Sequence, residues 1–174
     1  AGLTEKLIGD ILHFIMPNSS PHAPYRNMMA TTSKGYVYTD PEKISEEMLD
    51  FTRKSDSLGT PLEKAVYAHF DLTRIHPFYD GNGRLARLIQ NGILSCDNLP
   101  PIIVEYFEKK EYLFLLNNAE RAYKRVDGKM ESEQAKFYNY LAIKLLDSLK
   151  ETQTRLNRQE GGFSSLRNLF KFSK

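Results

Sequence analysis

The sequence predicts an all-α protein, mostly helical, with one small β-hairpin beside its candidate site. Three observations carry this expectation. Apolar residues recur at helical spacing along most of the chain. Capping and helix-breaking residues stand at the ends of those stretches. One short stretch, Tyr36-Val37-Tyr38, has residue types that favour an extended backbone and follows a turn.

The elements follow in order. Leu7, Ile8, Ile11, Leu12 and Ile15 form a helical stripe within Leu3 to Met16, and Pro17-Asn18-Ser19-Ser20-Pro21 breaks it. Met28 to Tyr38 holds a Ser33-Lys34-Gly35 turn between two short stretches, which predicts the hairpin. Asp40-Pro41 opens a second helix with Ile44, Met48, Leu49 and Phe51 as its inner face. Thr60-Pro61-Leu62-Glu63 is a capping box with proline at the first helical position. It starts a helix to about Ile75 whose apolar and small residues surround most of its circumference, so this helix is expected at the centre. His76-Pro77 ends it, because the residue before proline avoids the helical region. A further helix runs from Asn82 or Gly83 to about Cys96. Two more are expected over about Lys109 to Lys124 and Glu131 to Leu149, separated by the Val126-Asp127-Gly128 turn. The expected division is a compact domain over 1–150 and a tail over 151–174, an exposed helix with a break at Gly161-Gly162.

Composition excludes several classes. With 174 residues, 41% of them hydrophobic and 26% charged, the chain has the makings of a globular domain that needs no staple. The single cysteine, Cys96, lies in the apolar run Gly92-Ile93-Leu94-Ser95-Cys96 and reads as a buried inert thiol. A net charge of +2 gives no argument for nucleic acid. No run reaches the length of a membrane span, and no signal peptide is visible. The first residue is Ala1, not Met.

The informative stretch is His76-Pro77-Phe78-Tyr79-Asp80-Gly81-Asn82-Gly83-Arg84-Leu85-Ala86-Arg87. Two glycines flank an asparagine at the start of a helix. Glycines allow successive N–H groups to turn toward one point, and the helix adds free N–H groups and its positive dipole end. Such a loop suits phosphate. Arg84 and Arg87, three apart, project from neighbouring positions and can clamp further phosphate oxygens. Asp80 offers a hard carboxylate to Mg²⁺, which binds through few protein ligands and substrate phosphates. His76 is the group here that titrates near neutrality, as a general base requires. Each feature alone has a bland explanation: a connecting turn, a helix-end histidine, a solvated face. Their conjunction within a dozen residues does not. The pattern is not a Walker loop, which needs a lysine and a hydroxyl after its glycines. Nor is it a dinucleotide fingerprint, which follows a strand.

The stretch resembles the signature of the Fic family: histidine, x, phenylalanine, x, acidic residue, Gly-Asn-Gly-Arg, x, x, Arg. Every defined position matches. Leu7 to His13 followed by Tyr25-Arg26, the hairpin near Tyr36 to Ile44, and Tyr112 to Ala119 also resemble family elements, so the likeness extends over about Leu3 to Leu145. It implies a protein adenylyltransferase that moves AMP from Mg-ATP to a Ser, Thr or Tyr hydroxyl of a target protein and releases pyrophosphate. In that role His76 takes the hydroxyl proton. Asp80 holds Mg²⁺ between the α- and β-phosphates. Gly81, Asn82 and Gly83 form the anion hole, and Arg84 and Arg87 hold the β- and γ-phosphates. Phe78 anchors the loop. Tyr112 and Asn118 are candidates for the adenine pocket. The flap, with Thr31, Thr32, Gly35, Tyr36, Val37 and Tyr38, pairs with an extended segment of the target; Tyr36 and Tyr38 themselves are expected to pack.

Many family members carry an inhibitory helix with a hydroxyl residue, three others, glutamate, then glycine or asparagine. Glu160 precedes Gly161, but Leu156 stands four residues before it, so this chain holds no complete copy. An inhibitory helix upstream of Ala1, one on a separate antitoxin-like partner, and an unrestrained enzyme all remain open. The chain as it stands is expected to be competent. Transfer of UMP or phosphocholine, removal of AMP, and a non-catalytic nucleotide-binding adaptor are the competing readings. The intact Gly-Asn-Gly core stands against phosphocholine transfer, and the presence of His76 and Asp80 against the adaptor; transfer of UMP and removal of AMP stay open. The protein is expected in the cytoplasm or delivered into a host cell as an effector.

Overall fold

The computed structural model describes residues 2–17, 24–32, 35–125 and 132–169. Its helices are α1 (Glu5–Ile15), α2 (Ile44–Ser57), α3 (Pro61–Ile75), α4 (Asn82–Cys96), α5 (Lys109–Arg125) and α6 (Ser132–Leu169). Short 3-10 turns over Pro41–Lys43 and Tyr106–Glu108 lead into α2 and α5. Among the described residues no helix is long and apolar enough to cross a membrane.

α3 is the hub. The Thr60 side chain accepts from the Glu63 N–H while the Glu63 carboxylate accepts from the Thr60 N–H, so the expected capping box is present. Such a cap contributes about 1 kcal/mol. From Ala65 to Ile75 every residue of α3 is buried, which makes it the axis the others wrap. α4 lies along it, α2 and α6 contact it, and α5 packs on α6. Two apolar clusters result. One joins Ile8 and Leu12 of α1, Met48 and Phe51 of α2, Leu72 and Ile75 of α3, and Leu85 and Ile89 of α4. The other joins Val66 and Phe70 of α3 to Leu116, Phe137 and Leu141 of α5 and α6. The first cluster surrounds the C-terminal end of α3, where the motif begins.

Several expectations are corrected. The hairpin is not formed as strands: among the described residues it is a single antiparallel bridge between Thr31 and Val37. Three residues on each side, with the expected Ser33-Lys34 turn outside the described residues, are too few to extend a ladder. Cys96 is exposed, because it sits on the last turn of α4 two positions after the inward-facing Leu94. Leu49 is exposed on α2, one position off the stripe that buries Ile44, Met48, Phe51 and Thr52. Helix α6 continues to Leu169 through Gly161-Gly162, since glycine weakens a helix without forbidding it. The Val126-Asp127-Gly128 turn, and Asn18 to Pro21 of the first break, lie outside the described residues.

Candidate active site

α3 ends in an unusual way. His76 takes the left-handed C-cap position with φ 53° and ψ 54°, and its N–H donates to the Leu72 carbonyl at 3.1 Å. Glycine normally occupies this position, because a side chain there costs about 1–2 kcal/mol. The sequence rule that a residue before proline leaves the helical region ends α3 correctly. It does not foresee the left-handed turn, which swings the imidazole away from the helix.

The ring is half-buried, and Tyr38 stacks on it with centroids 3.9 Å apart and planes 19° from parallel. Nδ1 is buried with no hydrogen-bond partner of acceptable geometry. Burial pushes the His76 pKa down to about 4; the Thr73 carbonyl and Asp80 oppose that, and Arg26 reinforces it. Although the Thr73 carbonyl favours a protonated ring, no hydrogen bond of good geometry reaches Nδ1, so desolvation dominates. The imidazole is therefore neutral at neutral pH and holds a lone pair ready for a proton.

The loop from Pro77 to Gly81 is closed by Asn82. Its Oδ1 accepts from the Phe78 N–H at 3.0 Å and its Nδ2 donates to the Phe78 carbonyl at 2.7 Å. Asn82 is buried, as is Phe78. The Asn82 side chain is thus a staple for the loop, and its backbone N–H stands at the start of α4. Gly81 has φ 85°, and a Cβ there would lie 2.6 Å from Met16 Sδ and 2.9 Å from Leu12 Cδ1. Glycine is required at 81 both by backbone conformation and by the close approach of α1. At Gly83 a Cβ would meet only Arg87 Nη1, at an ordinary 3.6 Å. Packing does not demand glycine at 83; a Cβ would instead fill the space over the first turn of α4. The N–H groups of that turn have no intrahelical acceptor and carry the positive end of the helix dipole.

Asp80 is exposed. Its Oδ1 accepts from the Gly81 N–H at 2.6 Å, and its Oδ2 lies 3.4 Å from Arg84 Nη2, one turn along α4. Arg84 and Arg87 are both exposed on the face that begins at the cradle. Among the described residues no three His, Cys, Asp or Glu side chains form a metal cage. A single accessible carboxylate beside a glycine-lined helix start is nonetheless a donor set that would fit Mg²⁺ carried by a nucleotide. The motif residues His76, Asp80, Gly81, Gly83, Arg84 and Arg87 thus converge on one end of the α3–α4 pair.

The other predicted residues divide. Tyr112 is buried, with its hydroxyl 2.8 Å from His69 Nε2. That hydroxyl is shared between His69 in the core and the guanidinium of the motif residue Arg87. Asn118 is half-buried on α5. In the flap, Thr32 N–H donates to the Tyr36 carbonyl at 2.8 Å, and Tyr38 N–H donates to the Ala30 carbonyl at 3.0 Å. Thr32 Oγ1 accepts from the Tyr36 N–H, and Gly35 takes φ 78° with open space around it. Tyr36 is buried and meets Tyr38 edge-to-face, so both tyrosines pack.

Sequence reasoning assigned no role to Arg26, which is buried and bonded to the His76 carbonyl at 2.7 Å. The signal was an arginine in a proline-flanked loop. Its meaning depends on which carbonyls it meets, and spacing does not encode that.

Comparisons with known proteins converge. Residues 2–94 match the family model described as the Fic/DOC family. A protein adenylyltransferase Fic of Nematostella vectensis is 36% identical over 99 residues, 55% of this chain and 23% of that protein. The protein adenylyltransferase fic-1 of Caenorhabditis elegans is 32% identical over 120 residues, 64% of this chain and 24% of that protein. The chain thus spans about a quarter of the length of these curated relatives. Among solved structures, a Fic-domain-containing signaling protein from Bacteroides thetaiotaomicron superposes with a TM-score of 0.75. It is 29% identical, covering 86% of this chain and 62% of that one.

Proposed function

The chain belongs to the Fic/DOC family, and from that premise we propose that it is a protein adenylyltransferase that moves AMP from Mg-ATP to a hydroxyl of a protein target. The observation that carries this reading is the neutral imidazole of His76 held next to a glycine-lined helix start and two exposed arginines. The buried nitrogen is Nδ1, which leaves Nε2 as the nitrogen for the incoming Ser, Thr or Tyr hydroxyl.

As the oxygen attacks the α-phosphorus, His76 takes its proton, the new P–O bond forms, and the bond to the β-phosphate oxygen breaks. Pyrophosphate leaves. The N–H groups of Asn82 and Gly83 meet the α- and β-phosphate oxygens, and Arg84 and Arg87 meet the β- and γ-phosphates. Transfer of this kind needs alignment and charge compensation more than covalent help. Asp80 would hold Mg²⁺, which would supply charge neutralisation at the phosphates. The long contact between Asp80 and Arg84 leaves the guanidinium exposed for phosphate.

The segment with Thr31, Thr32, Gly35, Tyr36, Val37 and Tyr38 takes an extended stretch of the target by strand addition, which reads backbone rather than sequence. Tyr112, whose hydroxyl meets Arg87, and Asn118, half-buried on α5, are the candidates for the adenine side. The test uses ATP labelled on the α-phosphate. Protein should become labelled in a lysate, γ-label should not transfer, and His76→Ala should abolish the signal. Transfer of the γ-label would make the protein a kinase and end this reading.

A further inference from the structure

Arg26 is one of the most buried side chains in the molecule, yet its side-chain hydrogen bonds go to backbone carbonyls and not to a carboxylate. Burial lowers the Arg26 pKa and the charge of Asp40 opposes that without a direct hydrogen bond, so its donors are satisfied at the carbonyls they meet. Nε donates to the His76 carbonyl at 2.7 Å, and Nη2 donates to the Ile75 carbonyl at 3.3 Å. These are carbonyls at the end of α3, which helix geometry leaves without partners. On the other side, Nη1 donates to the Met28 carbonyl at 2.8 Å and Nη2 to the Thr39 carbonyl at 2.5 Å. Met28 and Thr39 flank the Thr31–Val37 bridge. The planar fork therefore joins both ends of the flap to the left-handed residue that ends α3.

The flap and the motif loop meet at further points. The Arg26 N–H donates to the Pro77 carbonyl at 2.9 Å. Tyr79 Oη donates to Asn27 Oδ1 at 2.5 Å and accepts from the Asn27 N–H at 3.1 Å. The Tyr25 ring lies 5.6 Å from that of Phe78. Finally, Tyr38 stacks on the imidazole itself. A strained residue is held by its surroundings, and here nearly all the holding groups come from one segment, residues 25–39.

We propose that Arg26 and Tyr38 are positioning residues for His76, Arg26 fixing its left-handed backbone and Tyr38 fixing its ring plane. The segment that receives the target thereby also aims the base. This rests on the reading of His76 as the general base. Lysine cannot replace Arg26, because an ammonium offers its donors from one point and cannot span carbonyls on two sides. The motif loop itself is closed by Asn82 on Phe78 and by the approach of α1 to Gly81, so loss of the Arg26 fork or the Tyr38 ring should affect nucleotide binding less than it affects His76.

The experiment compares Arg26→Lys, Tyr38→Leu and, as a stability control in the other core cluster, Leu145→Ala. Three readouts are taken on the full chain: kcat for AMP transfer, the ATP dissociation constant, and the His76 imidazole signal by NMR. In the wild type the Tyr38 ring shifts that signal by its ring current. Expected results are a fall in kcat of about 10- to 100-fold for both clamp variants, with ATP affinity retained, because small misplacement of a reacting group is costly. The His76 signal should lose its shift in Tyr38→Leu and spread over several positions in Arg26→Lys. Leu145→Ala should lower the melting temperature without moving the signal. An unchanged His76 signal with full transfer in Arg26→Lys overturns the proposal. So does a loss of transfer matched by the same loss of ATP binding, or reproduced by Leu145→Ala. Wild-type protein that transfers no AMP, yet shows the expected NMR responses, refutes the transferase reading and leaves the clamp standing.

Discussion

Two histidines stand two turns apart in α3 and its cap, and their surroundings differ in the one respect that matters. At the middle of the helix, His69 is fully enclosed, with Nδ1–H donating to Gln90 Oε1 at 2.5 Å and Nε2 accepting from Tyr112 Oη at 2.8 Å. At its end, His76 has one nitrogen buried without a partner and the other edge open. Burial pushes both pKa values down to about 4. A depressed pKa therefore does not mark function by itself. A satisfied neutral histidine is a core hydrogen-bonding piece. An incompletely satisfied one beside a cradle for anions is available for chemistry.

The contrast breaks most directly by exchange of effects. His76→Ala should lower AMP transfer by about 10²- to 10⁴-fold, the usual contribution of a general base, while the melting temperature stays near or above that of the wild type. Relief of the left-handed strain by His76→Gly should raise it. If His76→Ala retained transfer, measured with α-labelled ATP, the two sites would be equivalent and the assignment lost.

Removing His69 should act on stability instead. His69→Ala leaves Gln90 and the Tyr112 hydroxyl without their partner, and each orphaned buried group costs about 1–3 kcal/mol. Denaturant titration should show this loss, with residual transfer at temperatures where the variant is folded. A variant as stable as the wild type would mean the network contributes nothing.

pH separates the pair further. The folded pKa of His69 lies below its unfolded value near 6.5, so the unfolded chain takes up the proton first as pH falls. Stability from this group is complete above about 6.5 and declines as pH drops toward 4, by roughly 3 kcal/mol over the window. Melting temperatures between pH 7 and 4.5 should show that slope, and His69→Gln should reduce it to the part that the lowered pKa of His76 contributes. Transfer, by contrast, should hold its rate down to about pH 5 and fall below it as His76 protonates. A rate that falls already below pH 7 would mean His76 is not desolvated.

Two glycines on the His76 side can be set against each other, and the smaller of their losses is the smallest effect expected. Gly81→Ala should disrupt the loop, because its Cβ meets Met16 and Leu12. Gly35→Ala, where a Cβ meets nothing, should cost only the left-handed penalty of about 1–2 kcal/mol. Comparing the two by thermal melts and by transfer isolates crowding from backbone strain. Equal losses would mean the approach of α1 to the loop is unimportant.

The sequence alone determined the helical architecture, the buried course of α3 with its capping box, and the motif from His76 to Arg87. These are local properties: apolar period, caps and glycine spacing act within a turn or two of helix. It misjudged Cys96, the hairpin and the end of α6, where exposure and pairing depend on neighbours distant in the chain. It placed Asn82 at the helix start, while only the fold shows that its side chain closes the loop on Phe78. Only the folded structure decided that Arg26 grips the His76 carbonyl, fifty residues away, and that Tyr38 covers the imidazole. Long-range hydrogen bonds and ring contacts carry no periodicity, so the physics that orients the base becomes visible only once the segments that hold it have met.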